Sequence, residues 1–523
     1  MKFLIRLLFC LSIISLFSCS NDELDGTPSN LPSNVKSYKL YSFELFKESG
    51  RISLEEDTDG IVRFRVNLDQ PVATTSAVNI YEGSFNGVNR IMITLNPIQA
   101  GETESITVVT QTDNGTRVSY EDLLNIDGHL KILNNLNNNH FDINTFTDLG
   151  VNAFAQGDEK MYPLYNNEEV IGVMGMLPRE FEGKPMLIGV HLLEADDAYD
   201  YLPAIYEGTK ATGNFENKLV DLAPILKFAS KSSYTNCYDY LTTEAIVNGF
   251  GAVLLKKRDV IGKGDVGGNE LTGGYNNYKF ENVKDLDITG DVTLEERLNG
   301  KTLASYNLSS ASTTPQSYAV NLNSNNYIQQ DSIIVNLGIM PEESSETQYA
   351  DIRTSKSGRE LSYTELIEND YHIRINESTD PTYNGPNYFA NADIGTAANS
   401  GLVSVTVLEK NEEENFNIFV KVDLFERVNG HTKALIKLTE HFDQDYELYL
   451  YEGEDFLDSS AEKVIDFNTL DAANEVDGYA RDIQKDVNGL PITYEQIMST
   501  SKHYRLIRKS DNKLVAFAIM QRK

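Results

Sequence analysis

Three kinds of side chain in this sequence could do chemistry: a few cysteines, carboxylates that recur beside glycine, and scattered histidines. The cysteines are the most informative. Cys19 ends the run Leu16-Phe17-Ser18-Cys19, behind an apolar stretch from Leu7 to Phe17 and the basic residues Lys2 and Arg6. A basic start, an apolar middle and a small residue before the cut make a secretory signal. Cleavage before Cys19 would leave its sulfur and a new amine to be acylated. The apolar run is shorter than the ~20 residues needed to span a bilayer. Acyl chains such as palmitate contribute about 0.8 kcal/mol per buried CH₂, so several on one cysteine hold firmly. Cys19 is therefore the expected lipidation site. Cys10 would leave with the leader, and Cys237 alone cannot form an intramolecular disulfide. Cys237 reads as a small buried hydrophobe rather than a reactive thiol.

The carboxylates with pattern behind them are Glu82, Glu207 and Glu452, in Tyr81-Glu82-Gly83, Tyr206-Glu207-Gly208 and Tyr451-Glu452-Gly453. Paired acids are the machinery of glycoside hydrolysis. A glutamate beside glycine at a strand end fits a structural turn better. Glu55-Glu56-Asp57-Thr58-Asp59-Gly60 and Asp285-Leu286-Asp287-Ile288-Thr289-Gly290-Asp291 gather oxygen ligands but not in a full calcium-loop pattern, and read as solvated acidic loops. The histidines at 129, 140, 191, 372, 431, 441 and 503 look scattered, without zinc-ligand spacing. There is no Gly-x-Ser-x-Gly elbow and no Walker loop. The expectation is no catalytic residue, no metal and no cofactor.

The elements that would position these groups announce themselves by repetition. Glu296-Arg297-Leu298-Asn299-Gly300 recurs as Glu426-Arg427-Val428-Asn429-Gly430. Asn-Gly between alternating apolar runs predicts a hairpin with both turn residues at φ > 0. Equivalent hairpins are expected at Asp59-Gly60 and Glu182-Gly183. Ser119-Tyr120-Glu121-Asp122-Leu123, Ser362-Tyr363-Thr364-Glu365-Leu366 and Thr493-Tyr494-Glu495-Gln496-Ile497 read as capped helical turns, each followed by a strand. The order hairpin, Tyr-Glu-Gly strand, capped turn, closing strand gives four repeats, 36–157, 158–268, 269–395 and 396–523, after a leader (1–18) and a tether (19–35). The third has Ile334-Val335-Asn336-Leu337-Gly338 in place of Tyr-Glu-Gly. The second is degenerate, with Cys237-Tyr238-Asp239-Tyr240-Leu241 standing in for the capped turn. Period-two alternation, as at Ile61 to Leu68, marks half-buried strands. The fold class expected is all-β with short helical turns, in tandem immunoglobulin-like β-sandwich or barrel repeats.

A hydrophobic fraction of 41% suits packed cores rather than disorder. The net charge is −33, and loss of Lys2 and Arg6 with the leader deepens it. Such a surface repels phosphate backbones, which argues against nucleic acid as a partner.

Taken together, the phrases resemble bacterial CHRD (chordin-like) domain repeats. Gly264-Asp265-Val266-Gly267-Gly268-Asn269-Glu270-Leu271-Thr272-Gly273 is similar to the family's junction phrase, with Gln156-Gly157-Asp158 and Asn391-Ala392-Asp393-Ile394-Gly395 as weaker copies. The Glu-Arg-x-Asn-Gly hairpin and Leu95-Asn96-Pro97 with Asp113-Asn114-Gly115-Thr116 carry the rest. The resemblance implies an immunoglobulin-like barrel remotely like copper–zinc superoxide dismutase. It also implies a His-x-His pair at positions that are here Asn79 and Tyr81, Ala204 and Tyr206, and Tyr449 and Tyr451. With no histidine at these positions, the family's metal or proton chemistry is not expected. Ser20-Asn21-Asp22-Glu23 resembles the acidic surface-export tag of Bacteroidota-type lipoproteins. These resemblances imply a non-enzymatic lipoprotein of the outer membrane, facing the cell exterior and anchored through Cys19. Its expected work is adhesion, ligand binding or surface architecture, with an extracellular ligand or surface protein as partner. The alternative is a surface glycan-processing hydrolase or accessory protein using paired carboxylates.

Overall fold

The computed structural model describes residues 32–520 except 88–89, 137–141, 182–183, 197, 214, 227–230, 238–247, 257–258, 283–288, 310–316, 329–331, 342–345, 377, 381, 383–387, 412–418, 439–444 and 471–478. Cys19 and the tag Ser20, Asn21, Asp22 and Glu23 therefore lie outside the described residues, as do Glu182-Gly183, Tyr238 to Leu241, and Asp285 and Asp287. Among the described residues no helix is long and apolar enough to cross a membrane.

The chain is all-β. Its first sandwich has eight strands: β1 (Asn34–Ser42), β2 (Glu48–Glu56), β3 (Val62–Leu68), β4 (Ser76–Glu82), β5 (Ile91–Ile98), β6 (Glu104–Val108), β7 (Asp127–Leu133) and β8 (Ile143–Gly150). Alternation makes the strands. In β3, Val62, Phe64 and Val66 are buried while Arg63 and Arg65 point outward, half-buried. The spatial order is β5-β4-β7-β8-β1-β2-β3-β6. β1 pairs with β2 along its length but meets β8 only at Tyr41↔Phe146 and Ser42↔Thr145, and its register with β2 shifts between Leu40 and Tyr41. A bulge of this kind bends a strand. The sheet folds there into two four-stranded layers around Leu40, Ile52, Phe64, Ile80 and Leu130. Burying each such side chain stabilises by roughly 1.5–3 kcal/mol. Because β6 lies beside β3 and β7 beside β4, the intervening segment crosses between layers, a Greek-key connection.

The same order of eight strands recurs over residues 160–266, 271–395 and 399–519. The third sandwich differs in that its two layers are separate sheets, one extended by the short strand Glu281–Asn282. Among the described residues the crossing segment holds a helix in the first, third and fourth: α1 (Tyr120–Leu124), α2 (Tyr363–Glu368) and α3 (Tyr494–Ser499). Ser119, Ser362 and Thr493 accept from the third helical N–H, and Asp122 and Gln496 close full capping boxes. Such a cap stabilises a helix start by about 1 kcal/mol. The leading tyrosine of each helix is buried, with Leu123, Leu366 and Ile497 one turn on.

The chain divides into two compact units, Met1–Met161 with Gly175–Gly189, and Tyr162–Met174 with Val190–Lys523. Unit 1 carries the first core. Unit 2 carries the cores of the third and fourth sandwiches, around Val292, Leu322 and Ile373 and around Val422, Leu448 and Leu506.

Candidate functional site: a polar knot repeated at the sandwich junctions

The Tyr-Glu-Gly phrases end the fourth strand of their sandwiches, and the glycine turns the chain. Gly83 has φ +76°, Gly208 +129° and Gly453 +87°. In the third sandwich the equivalent residues are Asn323, Ser324 and Asn325, with Asn325 at φ +61°. Asparagine is the usual substitute for glycine in left-handed backbone. Ile334 to Gly338, expected to fill this place, belong instead to the fifth strand, Ile333–Met340.

A histidine of the seventh strand stands opposite this turn. Tyr81 pairs with His129, Asn323 with His372 and Tyr451 with His503. The rings of Tyr81 and His129 stack at 5.3 Å, those of Tyr451 and His503 at 5.6 Å. Each histidine Nδ1 lies 2.8–2.9 Å from the carbonyl oxygen of the turn residue: Gly83, Asn325 or Gly453. A carbonyl only accepts, so Nδ1 donates, leaving Nε2 of a neutral ring as an acceptor. The surroundings agree. Arg505 Nε donates to His503 Nε2 at 2.9 Å, and Asn323 Nδ2 lies 3.3 Å from His372 Nε2. Burial pushes His129 down to about 3 and lowers His503 as well. In the second sandwich the position is Gly251, filled by the Phe215 ring, and Asn269 Nδ2 donates to Gly208 O instead.

The eighth strand supplies an aspartate beside the histidine: Asp148, Asp265 and Asp393, each followed by an apolar residue and a glycine near φ +60° (Gly150, Gly267, Gly395). One carboxylate oxygen accepts the backbone N–H two residues past the turn, from Phe85 (2.6 Å), Lys210 (2.8 Å) or Tyr327 (3.0 Å). The other accepts a buried arginine: Arg179 Nη2 at 2.6 Å, Arg297 Nη1 at 3.1 Å, Arg427 Nη1 at 2.8 Å. Each guanidinium also donates to a backbone carbonyl, of Pro185, Asn269 or Ala397. The first junction phrase is thus Thr147-Asp148-Leu149-Gly150 rather than Gln156-Gly157-Asp158. Burial raises all three aspartates, Asp148 to about 6, against the pull of their arginines.

Each arginine comes from the hairpin between the second and third strands of the following sandwich. Arg179 and Asp148 both lie in unit 1, and the other two pairs lie in unit 2. Gly300 N bonds Arg297 O and Arg297 N bonds Lys301 O, with Gly300 at φ +73°. Asn299 is not left-handed, so the hairpin is a turn followed by one left-handed glycine, rather than a two-residue turn with both φ positive. Asn429-Gly430 repeats this, and so does Asp59-Gly60. The hairpin backbone then docks on the junction: Leu298 N on Glu270 O, Asn299 N on Gly268 O, Val428 N on Ala398 O, Asn429 N on Thr396 O. Gly300 O and Gly430 O receive the N–H of Tyr363 and Tyr494, the first residues of α2 and α3. The phrases recur in one order because they meet in one knot.

The ends of the series differ. Asp57 occupies the arginine position in the first sandwich, where it accepts from Asp59 N, Ile61 N and Arg63 Nη2. Ile519 occupies the aspartate position in the last, opposite His503 and about half exposed.

The repeated glutamates have unrelated partners. Glu82 pairs with Arg90, Glu207 accepts from Asn217, and Glu452 pairs with Lys502. In the first acidic loop Asp57 is occupied as above, and Glu55 pairs with Arg65. Burial pushes the Cys237 thiol up to about 11, which leaves little thiolate near neutral pH. Among the described residues no cluster of three or more His, Cys, Asp or Glu converges as a metal site. Two open cavities, of about 540 and 480 Å³, lie in unit 2; the first is lined by Glu207, Asp351 and Arg353, the second by Glu368, Asp370 and His431. The histidine at the knot escaped sequence reasoning, although a regular signal marks it: His129, His372 and His503 each lie nine residues after the leading tyrosine of a capped turn. No protein-family profile matches the chain, and no curated protein matches it.

Proposed function

We propose that this protein is a non-enzymatic, lipid-anchored protein of the bacterial outer membrane, facing the cell exterior, whose work is adhesion, ligand binding or surface architecture. The observation that carries the reading is the polar knot. The buried ionisable groups that recur through the chain are consumed in joining one sandwich to the next. Asp148, Asp265 and Asp393 have both oxygens engaged, and His129, His372 and His503 each donate Nδ1–H to a turn carbonyl. Groups so occupied suit a scaffold, and these three aspartates are not free to act as the acid and base of a glycosidase. The signal ending in Leu16-Phe17-Ser18-Cys19 and the tag Ser20, Asn21, Asp22 and Glu23 support the anchor and its outward side. The reading does not require the chordin-domain resemblance, although the sandwiches are compatible with it.

The test is protease shaving of intact cells together with labelling by an alkyne fatty acid. The wild-type chain should take label and be cut from living cells. Cys19→Ala should lose the label and leave the membrane fraction. Replacing Asp22 and Glu23 should protect the chain from protease while leaving it lipidated. A wild-type chain that is unlabelled or fully protected would overturn the proposal.

A further inference from the structure

In the third sandwich, the outer face of the layer carrying the histidine is covered. Asn321, Asn323, His372, Asn376 and Asn391 point away from the core, yet are fully buried. The fourth sandwich lies against this face: Arg427 and Lys433 reach Asp393, and Lys433 reaches Glu281. In the first sandwich, Asn79, Tyr81, His129, Thr147 and Asp148 on the equivalent face are likewise buried. The fourth sandwich has the same face, built from Tyr449 and Tyr451 opposite Arg505 and His503, with Phe517 and Ile519 beside them. There Tyr451, Arg505 and Phe517 are only half-buried and Ile519 is about half exposed.

The residues on this face differ from those of the covered faces in one direction. Where Asn391 and Asp393 stand in the third sandwich, Phe517 and Ile519 stand in the fourth. The ring of Phe517 stacks on Phe456 at 3.6 Å, and Leu457 beside it is largely exposed. Arg505 lies over Tyr451 and Lys463 over Tyr449, while Glu447 and Asp466 flank the same strands. The face therefore holds cations and anions together, in a chain of net charge −33.

We propose that this face docks a second copy of the same chain, face to face about a two-fold axis. Three observations select that occupant. The equivalent face is an interface elsewhere in this chain, so its shape already accepts a β-sandwich. Head-to-tail docking, with the first sandwich of another copy arriving as the fourth arrives on the third, lacks both halves of the clamp. Asp57, occupied within its own hairpin, would stand in place of the arginine and Ile519 in place of the aspartate, so no ion pair would cross the contact. A two-fold contact places residues near the axis against their own copies. An aspartate there would repel itself, whereas Ile519 and Phe517 would not, and the mixed charges of Lys463, Arg505, Glu447 and Asp466 can pair across the axis.

The test is Ile519→Cys in the full chain on cells, followed by mild oxidation and a non-reducing gel. Cys19 is lipidated on the proposed reading and Cys237 is buried, so the new thiol is the one free to react. The expected result is a disulfide-linked band at twice the chain mass. Leu490→Cys, on an exposed loop of the same sandwich, should give none. Ile519→Asp in the wild-type background should abolish dimers detected by lysine cross-linking. A chain that stays monomeric in both assays overturns the proposal. So does a cross-link to a protein of different mass. So does a cross-link that forms only when Asp57→Cys is present, because that is the head-to-tail contact.

Discussion

His129 shows how a single residue ties the turn to the strand and what that costs in acid. Buried, with Nδ1 donating to Gly83 O, it is held down at about 3 from an ordinary value near 6.5. The unfolded chain therefore binds a proton between these values that the folded chain refuses. Stability is lost as pH falls through that window, by on the order of 5 kcal/mol when complete. Asp148 works the other way. Its carboxyl is raised to about 6, so the folded chain holds a proton more readily than the unfolded one, and stability is gained as pH falls from about 6 toward 4. Between pH 6.5 and about 4 the two nearly cancel, and the larger histidine shift makes the first sandwich weaken on acidification chiefly as pH falls from about 4 toward 3. His129→Gln, which keeps a neutral donor, should remove that loss and uncover the opposite slope of Asp148, so that the variant gains stability as pH falls from about 6 toward 4. Hydrogen exchange of β4 and β7 in the full chain, followed from pH 7 to 4, checks this; acid sensitivity unchanged by the substitution would refute it.

At the scale of the element, the glycines separate two kinds of turn. Gly430, in the hairpin, has φ +80° and open space around a would-be Cβ. Gly395, at the junction, has φ +63°, and a Cβ would lie 2.2 Å from Asn369 O. Gly430→Ala should cost about 1–2 kcal/mol, the strain of left-handed backbone alone. Gly395→Ala should cost more than about 3 kcal/mol, because backbone must also move. Thermal unfolding of the two variants side by side measures the difference, and equal costs would contradict the assignment. Much of this scale was legible in the sequence. Alternation marked strands such as β3, the Ser and Thr caps marked the helical turns, and glycine marked the hairpins. The hairpin type was not legible, because Asn-Gly serves both a two-residue turn and a turn closed by one left-handed glycine, and only the register decides. Nor was the knot. Its histidine, aspartate and arginine come from strand 7, strand 8 and the next sandwich's hairpin, and pairing across strands leaves no spacing in the chain except through the capped turn.

At the scale of the molecule, three Asp–Arg pairs join successive sandwiches, and the first and last sandwiches each lack the half that would extend the series. A buried pair of this kind is a device for register more than for stability. Removing one partner strands a charge and typically costs about 3–5 kcal/mol, whereas apolar replacement of both can be neutral. Arg179 and Asp148 form the most enclosed of the three, both side chains fully buried. These pairs are the joints of the protein, and a double-mutant cycle on Arg179 and Asp148 puts that to the test. Arg179→Ala, Asp148→Ala and the double variant would be compared by hydrogen exchange across residues 148–155 and 175–189 of the full chain. Each single variant should open this region, and the double variant should be less damaged than the sum by at least about 2 kcal/mol. Effects that add within ~0.5 kcal/mol, or singles that leave exchange there unchanged, would contradict it.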